Sequence, residues 1–303
     1  MTRAESQVGS DWPLLGRDRE MELLTSALAT GASGGGVLIG AAGMGRTRLA
    51  REITATAIRS GRATQWLVAT RAAASLPFGA TLSLLPLDEP ATEPFAFIRG
   101  VIRHMEALAR PYPPVVCIDD AHLLDDASAA LIHQLALRRI GFLVLTVRRE
   151  EPVPDAVVAL WKDGHLEPIE LKPLPPEAVD TLIARTLGRQ VDALTRAELQ
   201  VTAAGNPLAL GQALVKGLRD STLVRRGQVW SSRASLLTGR ERQVCLLAAS
   251  GLPSQVIADR LVLSVRTVNN HLSRAYGKLG VSRRADLMKA LNGSFPVMDP
   301  TGR

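Results

Sequence analysis

The sequence contains little cysteine and no long apolar run. Cys117 lies in the strand-like run VVCID and Cys245 in an apolar helical pattern, and these are the chain's two cysteines. Such placement favours reduced core thiols over a disulfide or a metal site. Nowhere do about 18 apolar residues follow one another, as a membrane helix requires, and the first residues, MTRAESQVGSDWP, carry no apolar signal segment. These absences predict a cytoplasmic protein with no membrane partner.

Internal repeats and low-complexity segments are absent as well. Of the 303 residues, 46% are apolar and 21% are charged. This composition is typical of a soluble globular chain, and the length is sufficient for two or three domains.

Positive charge is concentrated at the end of the chain. Residues 233–303 contain eleven Lys or Arg and four Asp or Glu, a net charge of +7 that equals the net charge of the whole chain. Residues 1–232 therefore carry no net charge. A basic segment of this kind favours a polyanionic partner, most often nucleic acid.

Five β-rich apolar runs alternate with helical stretches in the first half of the sequence. They are GVLIG (36–40), QWLVA (65–69), VVCID (115–119), FLVLTV (142–147) and LEPIEL (166–171). Alternation of this kind predicts a parallel sheet flanked by helices.

The Pro-rich run KPLPPEA then ends the alternation. Helical patterns near 176–187, 195–204 and 207–218 predict a small all-α unit after it. Residues 219–236 are polar and irregular in pattern, with Val229 and Trp230 as possible anchors, and are predicted to be a linker.

Three helices are predicted after the linker. Thr238 and Glu241 have the spacing of a capping box, which predicts a helix start. A second helix is predicted near 254–261. Ser264 is suited to cap a third helix, in which apolar residues recur at intervals of three and four and form a single stripe.

The opposite face of the third helix is polar and basic. Asn side chains can pair with adenine in the major groove, whereas Arg and Lys can hold phosphates. The side chains predicted to face double-stranded DNA are Arg266, Thr267, Asn269, Asn270, Ser273, Arg274 and Lys278.

The run LTGRERQVCLLAASGLPSQVIADRLVLSVRTVNNHLSRAYGKLGV resembles the LuxR-type helix-turn-helix of bacterial transcription regulators. The resemblance implies that residues 265–279 are the recognition helix and that the final helix, 283–291, pairs two copies. A homodimer or higher oligomer is therefore expected, with RNA polymerase as a further candidate partner. Pro253 departs from the family, which usually has a polar cap before the second helix.

The stretch GAAGMGRT, residues 40–47, has the spacing of a phosphate-binding P-loop between an apolar strand and a helix. Its glycines, Gly40, Gly43 and Gly45, free the backbone to surround phosphates, and the Thr47 hydroxyl is a magnesium ligand in such loops. Arg46 stands where the motif has lysine. Arginine keeps the charge but places it on a longer planar fork.

The run VVCIDDAHLLDD is an apolar strand that ends in two acids. Asp119 is predicted to hold magnesium, and Asp120 is predicted to orient or deprotonate an attacking water. The predicted ligand is thus ATP or ADP with Mg²⁺.

Together with Leu15-Gly16-Arg17, Arg148 and Gly205-Asn206-Pro207-Leu208, these motifs resemble the STAND class of AAA-related signalling NTPases. The resemblance implies that Gly16, Arg17 and Pro207 lie near the adenine and that Arg148 is near the γ-phosphate. Large LuxR regulators of this class carry long helical repeats between the two domains, whereas this chain has a short linker.

The predicted organisation is an α/β P-loop NTPase domain with a parallel sheet (1–171), a small helical lid (172–218), a linker (219–236) and an all-α helix-turn-helix domain (237–295). Three functions fit this organisation. The P-loop binds nucleotide as a regulatory switch with weak or no hydrolysis, or it is an active ATPase, or it binds nothing and serves as a scaffold. Arg46 keeps the positive charge of the motif's lysine but places it differently, and stabilising a transition state requires accurate placement. The switch is therefore the favoured hypothesis.

Overall fold

The computed structural model describes residues 12–85, 93–109 and 112–292. They form two compact units: residues 14–172 make up the first, and residues from 173 onward, together with residues 12 and 13, make up the second. The predicted end of the helix-turn-helix domain, at 293–295, lies outside the described residues. In the ranges given, no helix has the length and apolar character needed to cross a membrane.

The first unit is built on a five-stranded parallel sheet in the order β2-β3-β4-β1-β5. Its strands are β1 (Gly35–Gly40), β2 (Thr64–Val68), β3 (Val115–Asp119), β4 (Phe142–Arg148) and β5 (Glu167–Glu170). Each predicted strand is present, with small shifts at its ends. The predicted α/β fold with a parallel sheet is therefore confirmed.

Helices cover both faces of this sheet. They are α1 (Asp18–Thr30), α2 (Arg46–Arg59), α3 (Pro94–Leu108), α4 (Asp126–Leu137) and α5 (Asp155–Lys162). Along β3, Val116 and Ile118 pack into one hydrophobic core, while Val115 and Cys117 pack into the other. Strands buried on both faces read as continuous apolar runs, which explains why the sequence pattern was strong here.

The second unit contains three helices, a hairpin and four further helices. They are α6 (Pro176–Leu187), α7 (Ala193–Ala203), α8 (Pro207–Arg219), β6 (Leu223–Arg226), β7 (Val229–Ser232), α9 (Gly239–Ala249), α10 (Ser254–Leu261), α11 (Val265–Leu279) and α12 (Leu287–Asn292). The predicted lid helices and the first three helices of the helix-turn-helix domain are present, whereas the final helix, predicted over 283–291, begins at Leu287 after a single 3-10 turn. Both cysteines of the chain, Cys117 and Cys245, are buried free thiols, as expected.

The prediction that residues 219–236 are irregular is wrong, because β6 and β7 pair there as an antiparallel hairpin. A two-residue turn joins them, and Gly227 in this turn has a φ of +59°, a conformation that glycine adopts without strain. Trp230 does act as an anchor: its backbone N–H donates to the Gln190 carbonyl (2.8 Å), and its carbonyl accepts from the Asp192 N–H (3.0 Å).

A buried polar network joins the hairpin to the lid helix α7. The hydroxyl of Thr195, which is fully buried, donates to the Asp192 carboxylate (2.7 Å) and accepts from the backbone N–H of Ser232 (2.6 Å). Ser232 in turn donates its hydroxyl to Glu198 (2.7 Å), and Ser235 donates to Asp192 (3.1 Å). The hairpin is therefore fixed to the lid rather than loosely tethered.

The capping box at the start of α9 is confirmed. Glu241 accepts from the Thr238 backbone N–H at 2.8 Å, and the Thr238 hydroxyl accepts from the Glu241 N–H at 3.3 Å. Lys278, from α11, adds an ion pair to Glu241 at 2.5 Å. Burial raises the pKa of Glu241, but the hydrogen bonds from Lys278 and Thr238 outweigh it and hold the pKa below its ordinary value.

Candidate functional sites

The P-loop connects the carboxyl end of β1 to the start of α2. Gly43 and Gly45 have φ values of +78° and +89°, in the left-handed region where other residues are strained. A Cβ on Gly45 would meet nothing within 4 Å, so backbone conformation rather than crowding requires glycine there. The loop leads directly into α2, whose amino terminus carries the free N–H groups and positive dipole that favour an anion.

Thr47 and Asp119 are brought together, as the sequence predicted. The Thr47 hydroxyl donates to the Asp119 carboxylate at 2.9 Å across 72 residues of sequence. Thr146, buried in β4, donates to the same carboxylate oxygen at 2.7 Å. A hydroxyl beside a fixed carboxylate is a set of hard oxygen ligands of the kind that Mg²⁺ prefers.

Asp120 follows β3 in an unusual conformation, with a φ of +54°. Its backbone N–H donates to the Thr146 hydroxyl (2.8 Å), and its carboxylate lies 3.8 Å from Arg148 Nε and 4.0 Å from His122 Nδ1. Burial lowers the pKa of His122, with Asp120 partly opposing that effect. The two predicted catalytic residues, Asp120 and Arg148, are therefore neighbours at the carboxyl edge of the sheet, where open α/β sheets bind ligands.

Arg46 is 7% exposed, and its Nη1 is buried with no hydrogen-bond partner among the described residues. Burial lowers the pKa of Arg46, while Asp120 raises it. The Nε of Arg148 also has no hydrogen bond within the part of the chain that the structure describes, although it lies 3.8 Å from the Asp120 carboxylate. Buried guanidinium donors are costly unless paired, so the unmatched donor of Arg46 beside the P-loop fits a site for an anionic group.

Arg17 lies beneath the loop and supports it. Its buried guanidinium donates to the Met44 carbonyl of the P-loop (3.1 Å) and to the Lys172 carbonyl (2.6 Å). Gly16, with a φ of +62°, precedes it. Pro207 is the first residue of α8 and belongs to the second unit. Adenine contacts by Gly16, Arg17 and Pro207 remain predictions.

Two residues of this site were not anticipated from the sequence. Thr146 fixes Asp119, and His122 lies beside Asp120 and accepts a long hydrogen bond from the Arg148 N–H (3.4 Å). The available signals were a polar residue inside the apolar run FLVLTV and a histidine two residues after the acid pair. Neither signal is specific without knowledge that β3 and β4 are neighbours.

The predicted DNA-binding face of α11 is open to solvent. Arg266, Asn269, Asn270, Ser273 and Arg274 are exposed. On the opposite side, the helix buries its apolar stripe in one core; the stripe residues are Val268, Leu272, Ala275 and Leu279. The helix therefore presents one polar, basic face.

Two predicted DNA contacts have other partners within the protein. Thr267 is partly buried, with its hydroxyl 2.7 Å from that of the cap residue Ser264. Lys278 is the partner of Glu241 described above, which engages its charge internally. Contacts of either residue with DNA remain predictions, and the free basic charge on this face comes from Arg266 and Arg274.

The turn between α10 and α11 is centred on Val262, which is 90% exposed and has a φ of +54°. Pro253 precedes α10 with no side-chain cap hydrogen bond, as the sequence suggested. The turn places the two helices in the short helix-turn-helix connection expected.

Comparison with known protein families agrees with both motifs. Residues 235–291 match the family described as bacterial regulatory proteins, luxR family, and residues 13–147 match the AAA ATPase domain. The second match contains the P-loop, Asp119 and Asp120, and the first contains the polar face of α11.

Individual relatives match over different shares of the chain. A helix-turn-helix relative from Mycobacterium bovis is 42% identical over 64 residues, which are 21% of this chain and 7% of that protein. The transcriptional regulatory protein FixJ of Rhizobium meliloti is 27% identical over 226 residues, 71% of this chain and 97% of FixJ. The matched region is thus a small part of the mycobacterial relative.

Solved structures resemble the chain at low identity. The ORC1 protein of Aeropyrum pernix, determined in complex with DNA, has a TM-score of 0.50, is 14% identical and covers 96% of both chains. A STAND protein with a tetratricopeptide repeat sensor from Pyrococcus horikoshii has a TM-score of 0.43 and 18% identity, covering 80% of this chain and 35% of that one. At this identity, the likeness to ORC1 shows the fold alone.

Proposed function

We propose that this chain, which joins an AAA ATPase domain to a DNA-binding domain of the bacterial luxR family, regulates transcription. In this proposal its P-loop binds Mg²⁺ with ATP or ADP as a switch, with weak or no hydrolysis. The observation that supports nucleotide binding is that Thr47 contacts Asp119 in a loop where Arg46 has a buried donor without a hydrogen-bond partner among the described residues.

The residues present fit a magnesium nucleotide. Gly43, Gly45 and the start of α2 supply the anion-binding backbone, and Arg46 and Arg148 supply cationic donors. Thr47 and Asp119 would hold the metal ion, which when bound shields phosphate charge.

Arg46 is the reason to expect a switch rather than rapid turnover. Its guanidinium is buried at the root of α2, and a planar fork cannot reach the positions that a compact ammonium reaches. Binding tolerates a displaced charge better than catalysis does, because stabilising a transition state requires accurate placement.

DNA binding rests on α11. Its exposed Asn269 and Asn270 supply amide groups for base edges, and Arg266 and Arg274 supply charge for phosphates. Affinity for DNA should fall steeply with salt, since phosphate contacts release counterions.

Within the second unit, hydrogen bonds and an ion pair connect the lid helix α7 to the DNA-binding helices. The lid helix α7 contacts the hairpin through Thr195 and Ser232, and Glu198 of the same helix lies 3.7 Å from Arg242 of α9. Arg242 also donates to the Ala234 carbonyl at 2.8 Å. A change in the position of the lid would therefore carry the DNA-binding helices with it, because the elements between them are bonded together.

The test of the nucleotide site is ligand-dependent stability of the full chain. We expect Mg–ADP or Mg–ATP to raise the melting temperature, because a ligand at about 100 times its Kd adds roughly 2.7 kcal/mol to the folded state. Thr47→Ala and Asp119→Asn should abolish the shift. Thr56→Ala, on the same helix α2 but distant in sequence from the loop, is the matched control and should keep it.

The same experiment separates the alternatives when phosphate release is measured in parallel. Binding without release supports the switch, whereas turnover of about 1 per second supports an ATPase. If neither nucleotide shifts the wild-type melting curve, the P-loop is a scaffold element and the switch is wrong. A homodimer and recruitment of RNA polymerase belong to the proposal and need separate tests, by sedimentation and by transcription in vitro.

A further inference from the structure

A second group of ligand-type side chains lies at the opposite edge of the sheet from the P-loop. His133 belongs to α4, and Asp163 and His165 lie between α5 and β5. One ligand atom from each of the three residues lies within 4.8 Å of the other two. Because His165 lies two residues before the amino end of β5, while the P-loop follows the carboxyl end of the neighbouring parallel strand β1, the two sites are separate.

The loop that carries two of these residues is fixed by its own backbone. After α5 the N–H of His165 donates to the Leu160 carbonyl (2.9 Å), and the N–H of Gly164 donates to the Trp161 carbonyl (3.4 Å). With a φ of +75° at Gly164, these bonds form a Schellman motif. Asp163 and His165 therefore flank a rigid turn.

The third residue is placed by packing. Leu135, close to His133 on α4, belongs to the same hydrophobic core as Leu160 of α5 and Leu166 beside His165. The backbones of all three residues are thus held in place by the fold. A site whose ligands are already positioned loses little entropy when it binds an ion.

The side chains themselves are suited to coordination. The imidazole rings of His133 and His165 are partly buried and lie edge to face, with centroids 6.0 Å apart and an interplanar angle of 89°. Asp163 is exposed and contributes the negative charge. Two imidazoles and one carboxylate match the ligand set of zinc-class ions, whereas Mg²⁺ and Ca²⁺ prefer oxygen alone.

We propose that His133, Asp163 and His165 bind one divalent ion of the zinc class. Tetrahedral coordination with bonds of about 2.0–2.1 Å separates ligand atoms by roughly 3.3 Å, so side-chain rotation must draw the three residues inward by an ångström or so. The fourth position is left for water. The ion would tie α4 to the turn before β5 and stabilise the first unit.

The experiment uses the full chain, freed of metal by chelation. We expect Zn²⁺ to bind with a stoichiometry of one in calorimetry and to raise the melting temperature, and Co²⁺ to produce visible absorption typical of tetrahedral coordination. His133→Gln and His165→Gln should each weaken Zn²⁺ binding at least about tenfold. His104→Gln, which changes a partly buried histidine on α3, is the matched control and should bind as the wild type does.

Metal-free melting curves check that every variant folds. Absence of stoichiometric binding at about 0.1 mM Zn²⁺, or equal affinity of both histidine variants and the wild type, would overturn the proposal. Binding that is lost in Asp119→Asn but kept in the two histidine variants would place the ion at the P-loop instead, which also overturns it.

Discussion

In the proposed switch, Arg46 is the residue that sets how tightly the P-loop holds nucleotide and how fast it turns it over. It is buried at the start of α2 with an unmatched donor, and its pKa is lowered by that burial. We expect Arg46→Lys to tighten Mg–nucleotide binding by about tenfold or to raise turnover, since a compact ammonium reaches positions that the fork does not.

The measurement is the nucleotide-dependent melting shift together with phosphate release. Arg59→Lys, at the exposed end of the same helix, makes the same chemical change away from the loop and should behave as wild type. Unchanged nucleotide affinity and unchanged turnover in Arg46→Lys would mean that arginine in place of the motif's lysine limits neither nucleotide binding nor hydrolysis.

On α11, Asn270 and Arg274 are both exposed on the face predicted to meet DNA. Asn270→Ala should cost about 1 to 3 kcal/mol on the preferred DNA sequence and little on random DNA, because an amide reads base edges. Arg274→Ala should weaken binding to all sequences and reduce its salt dependence, because arginine at this place neutralises phosphate.

Fluorescence anisotropy with specific and random duplexes at several salt concentrations gives both quantities. Equal loss on the two duplexes for Asn270→Ala would show that a different face of the helix enters the groove.

At this scale the sequence predicts the residues that belong to a recognisable motif. Gly45 and Thr47 belong to a contiguous loop, and Asp119 ends a strand with a strong pattern. Thr146 and His122 could not be assigned, since their role depends on the adjacency of β3 and β4. Lys278 was expected to contact a phosphate of DNA. Its ion pair with Glu241, 37 residues away, could not be predicted, because that contact forms only when α9 and α11 pack together.

Among elements, the hairpin of β6 and β7 is the one that the sequence did not predict. Each strand has four residues, and Arg225 and Arg226 give β6 a polar appearance. Its stability comes from backbone bonds to residues 190–192 and from the buried hydroxyl of Thr195. The helices could be predicted because their apolar stripes and caps are local features.

The Thr195 hydroxyl supplies a buried hydrogen bond to the hairpin. Thr195→Val keeps the shape but leaves the buried N–H of Ser232 without its acceptor, and we expect a loss of about 1 to 3 kcal/mol in the free energy of unfolding. Thr181→Val, an exposed threonine on α6, is the control. Urea denaturation measures both, and equal stability of the two variants would contradict a structural role for the network.

Acid should weaken the start of α9. The pKa of Glu241 is lowered in the folded state, so its contribution to stability is present above its unfolded pKa and is lost as the pH falls through the folded value. Glu241→Gln should cost roughly 1 to 3 kcal/mol at pH 7 and should show a smaller loss of stability between neutral and acidic pH.

Denaturation at a series of pH values tests this, with Asp259→Asn on α10 as an exposed control. A pH dependence in Glu241→Gln as steep as that of the wild type would show that other groups dominate acid unfolding.

At the level of the whole molecule, a nucleotide switch requires linkage between nucleotide and DNA. We expect Mg–ATP or Mg–ADP to change the Kd for DNA by about 5- to 150-fold, and DNA to change the Kd for nucleotide by the same factor. Thr47→Ala should remove the nucleotide effect while leaving nucleotide-free DNA affinity unchanged. Identical DNA affinity with and without nucleotide, in a protein that binds both, would mean that the two sites are independent.

Val262 has a consequence for the evolution of the DNA-binding domain. A β-branched side chain at a φ of +54° costs the fold about 1–2 kcal/mol relative to a relaxed backbone. Selection removes such a cost only when it takes a protein below the stability that its function needs. The turn between α10 and α11 therefore indicates that the domain keeps the stability it needs despite this cost.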